Sequence, residues 1–254
     1  LRDEGAGLEV LGKVTPEQIK AIEHFAAETP MEVLPLESGI LLDMIVTVWS
    51  GEHEASVRIS QSHTHIVSIR VDGDTLFSED GSVESAEPTV DYALLTVEDI
   101  CAFADCLDPD DVRDVLDRQI ECNTAISAEG LKSGWGADIG NVLLDTYGND
   151  VRVRARARAA AGSDARMSGC EMPVVINSGS GNQGLTVSVP VAVYAEEYHK
   201  TQEELYRALV VSNLTAIHQK TTIGKLSAFC GAVTAGAGAG AGIAWLLTQD
   251  FYTD

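Results

Sequence analysis

The feature that most constrains the fold is a change in the spacing of apolar residues on either side of an acidic stretch. Before this stretch, residues 40–49, 55–59 and 66–71 form β-branched or alternating runs separated by glycine-containing turns, which predicts antiparallel strands. Beyond it, the apolar residues follow helical spacing. The order predicts an α+β fold, with a small antiparallel β-sheet module followed by a mainly helical domain.

Several helix starts are visible in the sequence. Thr15-Pro16-Glu17-Gln18 has the pattern of a capping box and predicts a helix that runs to about Ala27. Thr96, Asp108 and Thr201 are further N-cap candidates. The apolar residues predicted to line the inner faces of the helices that follow these caps are Val112, Val115, Leu116, Ile120, Leu205, Leu209 and Leu214.

The acidic stretch itself suggests a domain boundary. Residues 78–91 contain few large apolar side chains and one proline, so they contribute little to a core. We therefore predict an α/β module at residues 1–77, an acidic linker at 78–94, and a helical domain at 95–254.

Charge and cysteine content restrict the class of protein. The net charge is −22, and residues 1–150 carry 31 acidic side chains against 8 basic ones. Such a surface repels phosphate backbones and anionic lipids, so neither nucleic acid nor membrane is expected as a partner. The five cysteines form no CxxC pair and are odd in number, which favours a reducing cytoplasm over a disulfide framework.

One segment, Leu226–Leu247, has no charged residue in 22 positions and is long enough for a membrane helix. Its middle, residues 235–242, alternates alanine and glycine, and small residues let neighbouring backbones approach closely. We predict a buried helix of a soluble protein, with a membrane span as the alternative.

The densest polar constellation is Asn177–Gly184, which contains three glycines, two serines and three amides. A loop of this composition exposes backbone N–H groups, and a helix predicted from about Leu185 would add its dipole to form an anion site. A simple turn is the alternative. The stretch lacks the Gly-Lys-Ser/Thr ending of a nucleotide-binding loop.

Other polar residues allow two interpretations each. Lys220 is either a cation for a substrate carboxylate or a solvated lysine at a helix end. His63 and His65 would share one face of a strand, as paired metal ligands can, but no third ligand is evident. The alternating arginines of residues 152–158 are interpreted as a solvated helix face and not as a nucleic-acid stripe.

Taken in order, several motifs resemble the L-cysteine desulfidase family, which is related to serine dehydratase alpha subunits. They are Ser62-His63-Thr64, Ser163-Asp164-Ala165-Arg166-Met167, Asn177–Gly184, Leu214-Thr215-Ala216-Ile217, Lys220, Gly224 and Leu226–Ala232. The resemblance covers nearly the whole chain. His65 and Lys225 depart from it, since the family commonly has Asn and Arg at these positions.

The resemblance implies an α,β-elimination that converts L-cysteine to pyruvate, ammonia and sulfide on an oxygen-sensitive [4Fe–4S] cluster held by three cysteines. Cys230 matches the first cluster ligand. His63, Asp164 and Arg166 fall on the site wall. The positions that match the substrate site are Asn177, Ser178, Gly179, Ser180, Gly181, Asn182, Gln183 and Lys220.

The remaining two cluster ligands and the cysteine that abstracts the substrate proton correspond to segments beyond Asp254 and before Leu1. We therefore expect this chain to be an internal piece of a cytoplasmic amino-acid lyase that holds no cluster and is inactive by itself. The alternative is a non-catalytic module that binds a small anion or amino acid. L-cysteine and L-serine are both compatible as the ligand, and a homo-oligomer is an open possibility.

Overall fold

The computed structural model describes residues 14–40, 42–62, 64–79, 91–132, 134–221, 223–224 and 229–249. The chain separates into two compact units, Leu1–Val90 and Asp91–Asp254. The predicted α+β class is confirmed, because one unit contains an antiparallel sheet and the other is helical. Most of the predicted linker, residues 80–90, lies outside the described part, so the domain bounds stay a prediction.

The first unit contains helix α1 (Pro16–Glu28) and strands β1 (Asp43–Ser50), β2 (His53–Ser60), β3 (Ile66–Val71) and β4 (Asp74–Ser78). The Thr15 capping box is confirmed, with both reciprocal bonds formed. The strands form an antiparallel meander in sequence order. The sequence patterns separated three of the four strands, and β4 was not distinguished as a separate strand.

The register of this sheet aligns apolar side chains across all four strands. Val46 pairs with Val57, Val57 with Ile69, and Ile69 with Phe77, and directly opposed residues lie on the same face. The β3–β4 connection is the two-residue turn Asp72-Gly73, with positive φ at both positions, as a tight hairpin of right-handed twist requires. Among the described residues of this unit, only Ser60 is buried.

The second unit begins with a 3-10 turn (Tyr92–Leu94) and continues with seven described α-helices. These are α2 (Val97–Cys106), α3 (Pro109–Gly130), α4 (Ile139–Tyr147), α5 (Val151–Met167), α6 (Gly181–Glu197), α7 (Gln202–Thr221) and α8 (Gly231–Thr248). The predicted caps at Thr96, Asp108 and Thr201 are confirmed by their side-chain bonds to the first helical turn.

Helix α6 lies at the centre of this unit and packs against α3, α5, α7 and α8. Its valines 187, 189, 191 and 193 are buried, together with Leu185. The predicted inner faces are mostly confirmed, since Leu116, Leu205 and Leu209 are buried and Val112, Ile120 and Leu214 pack against them. The prediction that Val115 lies on an inner face is wrong. Its side chain is 65% exposed, because it lies on the side of α3 away from α6 and α7.

The alanine-glycine run forms α8 and packs closely on α7. A Cβ at Gly238 would lie 2.5 Å from the Ser212 carbonyl oxygen, and one at Gly242 would lie 2.7 Å from that of Ala208. Only glycine permits this approach. By length and composition α8 could span a membrane, but 39% of its residues are buried inside the protein, and its buried side carries the close-packed glycines.

Candidate functional site

The loop predicted at Asn177–Gly184 is shorter than expected and merges with a helix. Asn177 and Ser180 exchange two backbone hydrogen bonds of 3.1 and 3.0 Å, which closes a four-residue turn. Ser178 and Gly179 both have positive φ, of 47° and 84°, as the tightest hairpin turns require. Helix α6 then begins at Gly181, not near Leu185, because Ser180 caps it by accepting a hydrogen bond from the Gln183 N–H.

This arrangement leaves donors at the positive end of α6. The first N–H groups of a helix have no intrahelical partner, and Ser180 accepts from the N–H groups of Gln183 and Gly184. The N–H groups of Gly181 and Asn182 are the donors that remain in this first turn. They lie beside the partly exposed turn residues Ser178 and Ser180. The geometry is that of an anion-binding helix end.

Arg166, in the last turn of α5, lies directly over this helix end. A Cβ at Gly181 would be 2.3 Å from Arg166 Nε, and Arg166 Nη1 donates to Asn182 Oδ1 at 3.2 Å. Asp164 lies two residues earlier on α5 and therefore faces a different element, since its carboxylate accepts from the N–H of Ile139 at 2.8 Å and caps α4. Of these two predicted wall residues, the structure brings only Arg166 onto the turn.

Two site residues that sequence reasoning missed are Gln119 on α3 and Asn213 on α7. Their amides exchange two hydrogen bonds of 3.0 and 2.9 Å. Asn177 Nδ2 donates to Asn213 Oδ1 at 2.8 Å, and Gln183 Nε2 donates to Asn177 Oδ1 at 2.9 Å. Each is one of many polar residues on its helix, so no local pattern distinguishes it.

The N-terminus of α8 also reaches α6. A Cβ at Gly231 would lie 2.1 Å from Gln183 Oε1, so Gln183 packs against the first residue of α8. Cys230 is the exposed N-cap residue of α8. Lys220, in the last turn of α7, is 4% exposed, which excludes the solvated-lysine alternative.

The prediction that His63 and His65 are paired metal ligands is tested only in part. His63 lies outside the described residues. His65 bonds through Nδ1 to the Ser60 carbonyl at 2.9 Å and through Nε2 to Glu79 at 2.6 Å. Both belong to the sheet unit. Of the arginines predicted to form a solvated face on α5, Arg152 and Arg156 are exposed, whereas Arg154 and Arg158 are half-buried and pair with Glu197 and Glu196 on α6.

The described residues do not complete an iron–sulfur cluster site. Across residues 14–249, excluding the undescribed gaps, no three His, Cys, Asp or Glu side chains are close enough to hold a metal ion. Cys101 is buried on α2, and its burial, followed by nearby Asp105, raises the pKa of its thiol. Cys230 is thus one candidate thiolate for such a site.

An open groove of about 730 Å³ lies elsewhere, along α3. Its lining includes Asp114, Asp117, Glu121 and Cys122, and none of the residues predicted for the substrate site. Three carboxylates disfavour an anionic ligand there. The groove is therefore separate in chemistry from the turn beneath Arg166.

The sequence profile of the family described as serine dehydratase alpha chain matches residues 5–253. The chain belongs to the serine dehydratase alpha chain family. No solved structure matches significantly.

Relatives of this serine dehydratase alpha chain sequence are UPF0597 proteins. Those of Desulfitobacterium hafniense, Lachnoclostridium phytofermentans and Finegoldia magna are 50, 47 and 45% identical over 239, 245 and 249 residues. The alignments cover 94, 96 and 98% of this chain but 56, 58 and 59% of those proteins. The chain therefore spans little more than half the length of these relatives.

Proposed function

We propose that the second unit carries the substrate site of an ammonia-releasing amino-acid lyase, in which the turn and the first residues of α6 bind the carboxylate of L-serine or L-cysteine. Membership of the serine dehydratase alpha chain family supports this chemistry. The site itself is argued from the charges and donors around Gly181.

The observation that carries the proposal is the position of Arg166. A cation beside a helix N-terminus is electrostatically unfavourable, because the helix end is itself positive. The Arg166 guanidinium nevertheless lies over Gly181 and donates to Asn182. An anion beside Gly181 would be attracted by the Arg166 guanidinium and by the positive end of α6. A carboxylate suits the planar guanidinium and the two free backbone N–H groups.

The reaction needs groups beyond those that hold the carboxylate. In the family chemistry that the sequence resembles, a [4Fe–4S] cluster supplies a Lewis acid that assists departure of the β-substituent. We propose Cys230 as one ligand of such a cluster in the full-length polypeptide, with Lys220 near the substrate. Within the described chain, the turn residues and Arg166 bind and orient the amino acid. No proton-transfer step is assigned to them.

The proposed setting is the cytoplasm, with a free amino acid as the ligand. The acidic surface and the unpaired thiols support this location. The proposed domain division places the substrate site in the helical part, residues 95–254.

The test uses the full-length polypeptide that contains this chain, purified and assayed without oxygen. Pyruvate and ammonia are measured with L-serine, and sulfide is measured in addition with L-cysteine. Arg166→Met should raise KM about tenfold or more, because a charge-assisted hydrogen bond contributes about 1.5–3 kcal/mol. Arg156→Met is the matched control, since Arg156 is exposed on the same helix and bonds to the Arg152 carbonyl.

The outcomes separate the candidate functions. Turnover that is impaired in Arg166→Met and normal in Arg156→Met supports the lyase site. Saturable amino-acid binding without product from the wild-type protein would favour the non-catalytic binding module. Turnover that is equal in all three proteins would contradict the assigned site.

A further inference from the structure

Four amide side chains, three of them buried and one half-buried, form a continuous hydrogen-bonded chain behind the turn. They come from four elements: Gln119 from α3, Asn213 from α7, Asn177 from the turn and Gln183 from α6. Gln119, Asn177 and Gln183 are 3, 4 and 0% exposed. We call this set the amide chain. Buried amides must keep their partners, since each lost hydrogen bond leaves a costly unsatisfied group.

The amide chain has a fixed direction. A side-chain amide has one donating and one accepting end, so reversing one member would place two donors or two acceptors face to face. Asn213 Nδ2 donates to the Leu209 carbonyl at 2.8 Å, and this oxygen can only accept. The orientation of Asn213 is therefore set, with its Oδ1 facing Asn177.

The orientation of Asn213 determines that of Asn177 in the turn. Asn177 must point its Nδ2 at Asn213, and it donates both to Oδ1 at 2.8 Å and to the Asn213 backbone oxygen at 3.3 Å. Its Oδ1 then faces Gln183 and accepts from Nε2. Gln183 consequently turns its Oε1 away from the amide chain, towards Gly231.

The amide chain ends at an acceptor, the Oε1 atom of Gln183. Gln183 Oε1 is buried and accepts no hydrogen bond from the described residues. Amides that donate in series polarise one another, so the oxygen at the end of such a series is a better acceptor than an isolated one. The orientation of Gln183 and the closure of the turn at Asn177 thus depend on Asn213 and Gln119, which lie on other helices.

We propose that Gln119 and Asn213 are positioning residues of the amino-acid site: through Asn177 they fix the turn, and through Gln183 they fix the first turn of α6. The proposal rests on the proposed function, in which this turn binds the substrate. Neither Gln119 nor Asn213 is assigned a contact with substrate. Their role is to hold the donor groups in one geometry before the ligand arrives.

The kinetic test is Gln119→Met in the full-length polypeptide, which removes the distal amide at similar volume. We expect KM for the amino acid to rise about tenfold with kcat within about twofold, because binding geometry is lost and the reacting groups are retained. Gln119→Glu is a second variant of matched size that offers an oxygen where Asn213 Oδ1 needs a donor. It should raise KM as well.

The matched control is Ser127→Ala on the same helix. Ser127 is buried and donates to the Arg158 carbonyl at 2.7 Å, so its loss removes one buried hydrogen bond away from the turn. KM should not change in this variant. If Gln119→Met and Ser127→Ala both lower the melting temperature and neither changes KM, the role of Gln119 is purely structural and the proposal is overturned.

A second measurement does not depend on turnover. In the same full-length protein with ¹⁵N-labelled side-chain amides, the Asn177 and Gln183 NH₂ groups should exchange slowly with solvent, and faster in Gln119→Met. Unchanged exchange overturns the positioning role. Absence of lyase activity together with accelerated exchange would reject the proposed function and support the coupling of the four amides, so the two failures are distinguishable.

Discussion

At the residue scale, the site depends on glycines whose missing Cβ atoms make room for neighbours. Gly181 lies under Arg166, Gly231 lies against Gln183, and Gly184 packs on the backbone at Val175. The composition of Asn177–Gly184 indicated an anion-binding helix end. It could not reveal which neighbour each glycine admits, because Arg166 and Gly231 come from other helices.

Gly184 provides the sharpest test of this packing. A Cβ there would lie 2.0 Å from the Val175 carbonyl oxygen, and backbone atoms cannot move aside as a flexible side chain can. Gly184→Ala should therefore lower the free energy of unfolding by about 1–3 kcal/mol or more, as overpacking does. Chemical denaturation measures the change.

The matched control is Gly240→Ala on α8, where an added Cβ meets no atom within 4 Å. Because alanine is the better helix former by up to about 1 kcal/mol, this variant should be neutral or more stable. Equal destabilisation of both variants would show that the close approach at Gly184 is not what makes glycine necessary there.

Asp164 illustrates a residue whose surroundings were not predictable from its motif. It caps α4 from a distance, while the residue at the N-cap position, Asp138, is left-handed and makes no capping bond. Asp164→Ala should cost about 1 kcal/mol of stability, the usual value of a lost cap. Asp145→Ala, an exposed change on α4 itself, should have little effect in the same thermal unfolding experiment.

At the scale of elements, the sequence was most informative where the signal is local. The capping boxes at Thr15 and Thr201 and the apolar runs of β1 to β3 are confirmed, because capping and alternation depend on residues within a few positions. The amide chain joins residues 94 positions apart, from Gln119 to Asn213, and depends on how α3 and α7 pack. No pattern within either helix specifies that contact.

The sheet contains an ion pair that makes its stability depend on pH. Arg58 donates to both carboxylate oxygens of Asp43, at 2.8 and 2.6 Å, and the Asp43 side chain is 2% exposed. These bonds lower the pKa of Asp43 from 3.8 to about 2. Because the folded-state pKa is lowered, the ionised Asp43 stabilises the folded form at pH values above the ordinary carboxyl pKa of 3.8. This stabilisation is lost as the pH falls from 3.8 to about 2.

We therefore expect Asp43→Asn to destabilise the sheet at neutral pH, with the difference from wild type shrinking as the pH falls through that window. Strand-specific hydrogen exchange or unfolding monitored at Trp49 on β1 would measure it. Asp74→Asn, a carboxylate on β4 with no ion pair to Arg58, is the control. A difference that grows on acidification would contradict the assigned sign.

At the scale of the whole molecule, charge is divided unevenly along the chain, and the change falls within the second unit. Most acidic residues precede position 151, and the stretch after it is nearly neutral, with 8 acidic and 9 basic residues. Arg166 and Lys220 lie in this second stretch. This division of charge is read directly from the sequence, but the family match was required to relate the second stretch to lyase chemistry.

The proposed cluster would take its ligands from distant parts of the full-length polypeptide. Cys230 is one candidate ligand, and the described residues hold no metal-binding group of three. Anaerobic reconstitution of the 254-residue chain with iron and sulfide should leave no stable visible cluster absorbance and no sulfide release from L-cysteine. A stable cluster with activity would show that this chain assembles the site unaided.

We propose that Arg166 and the start of α6 hold the carboxylate of an amino acid. It is tested most directly by binding L-serine and ethanolamine, which lacks the carboxylate, to the full-length wild-type and Arg166→Met proteins. We expect wild type to prefer L-serine by about tenfold or more, and this preference should largely disappear in Arg166→Met. The same preference in both proteins would contradict it.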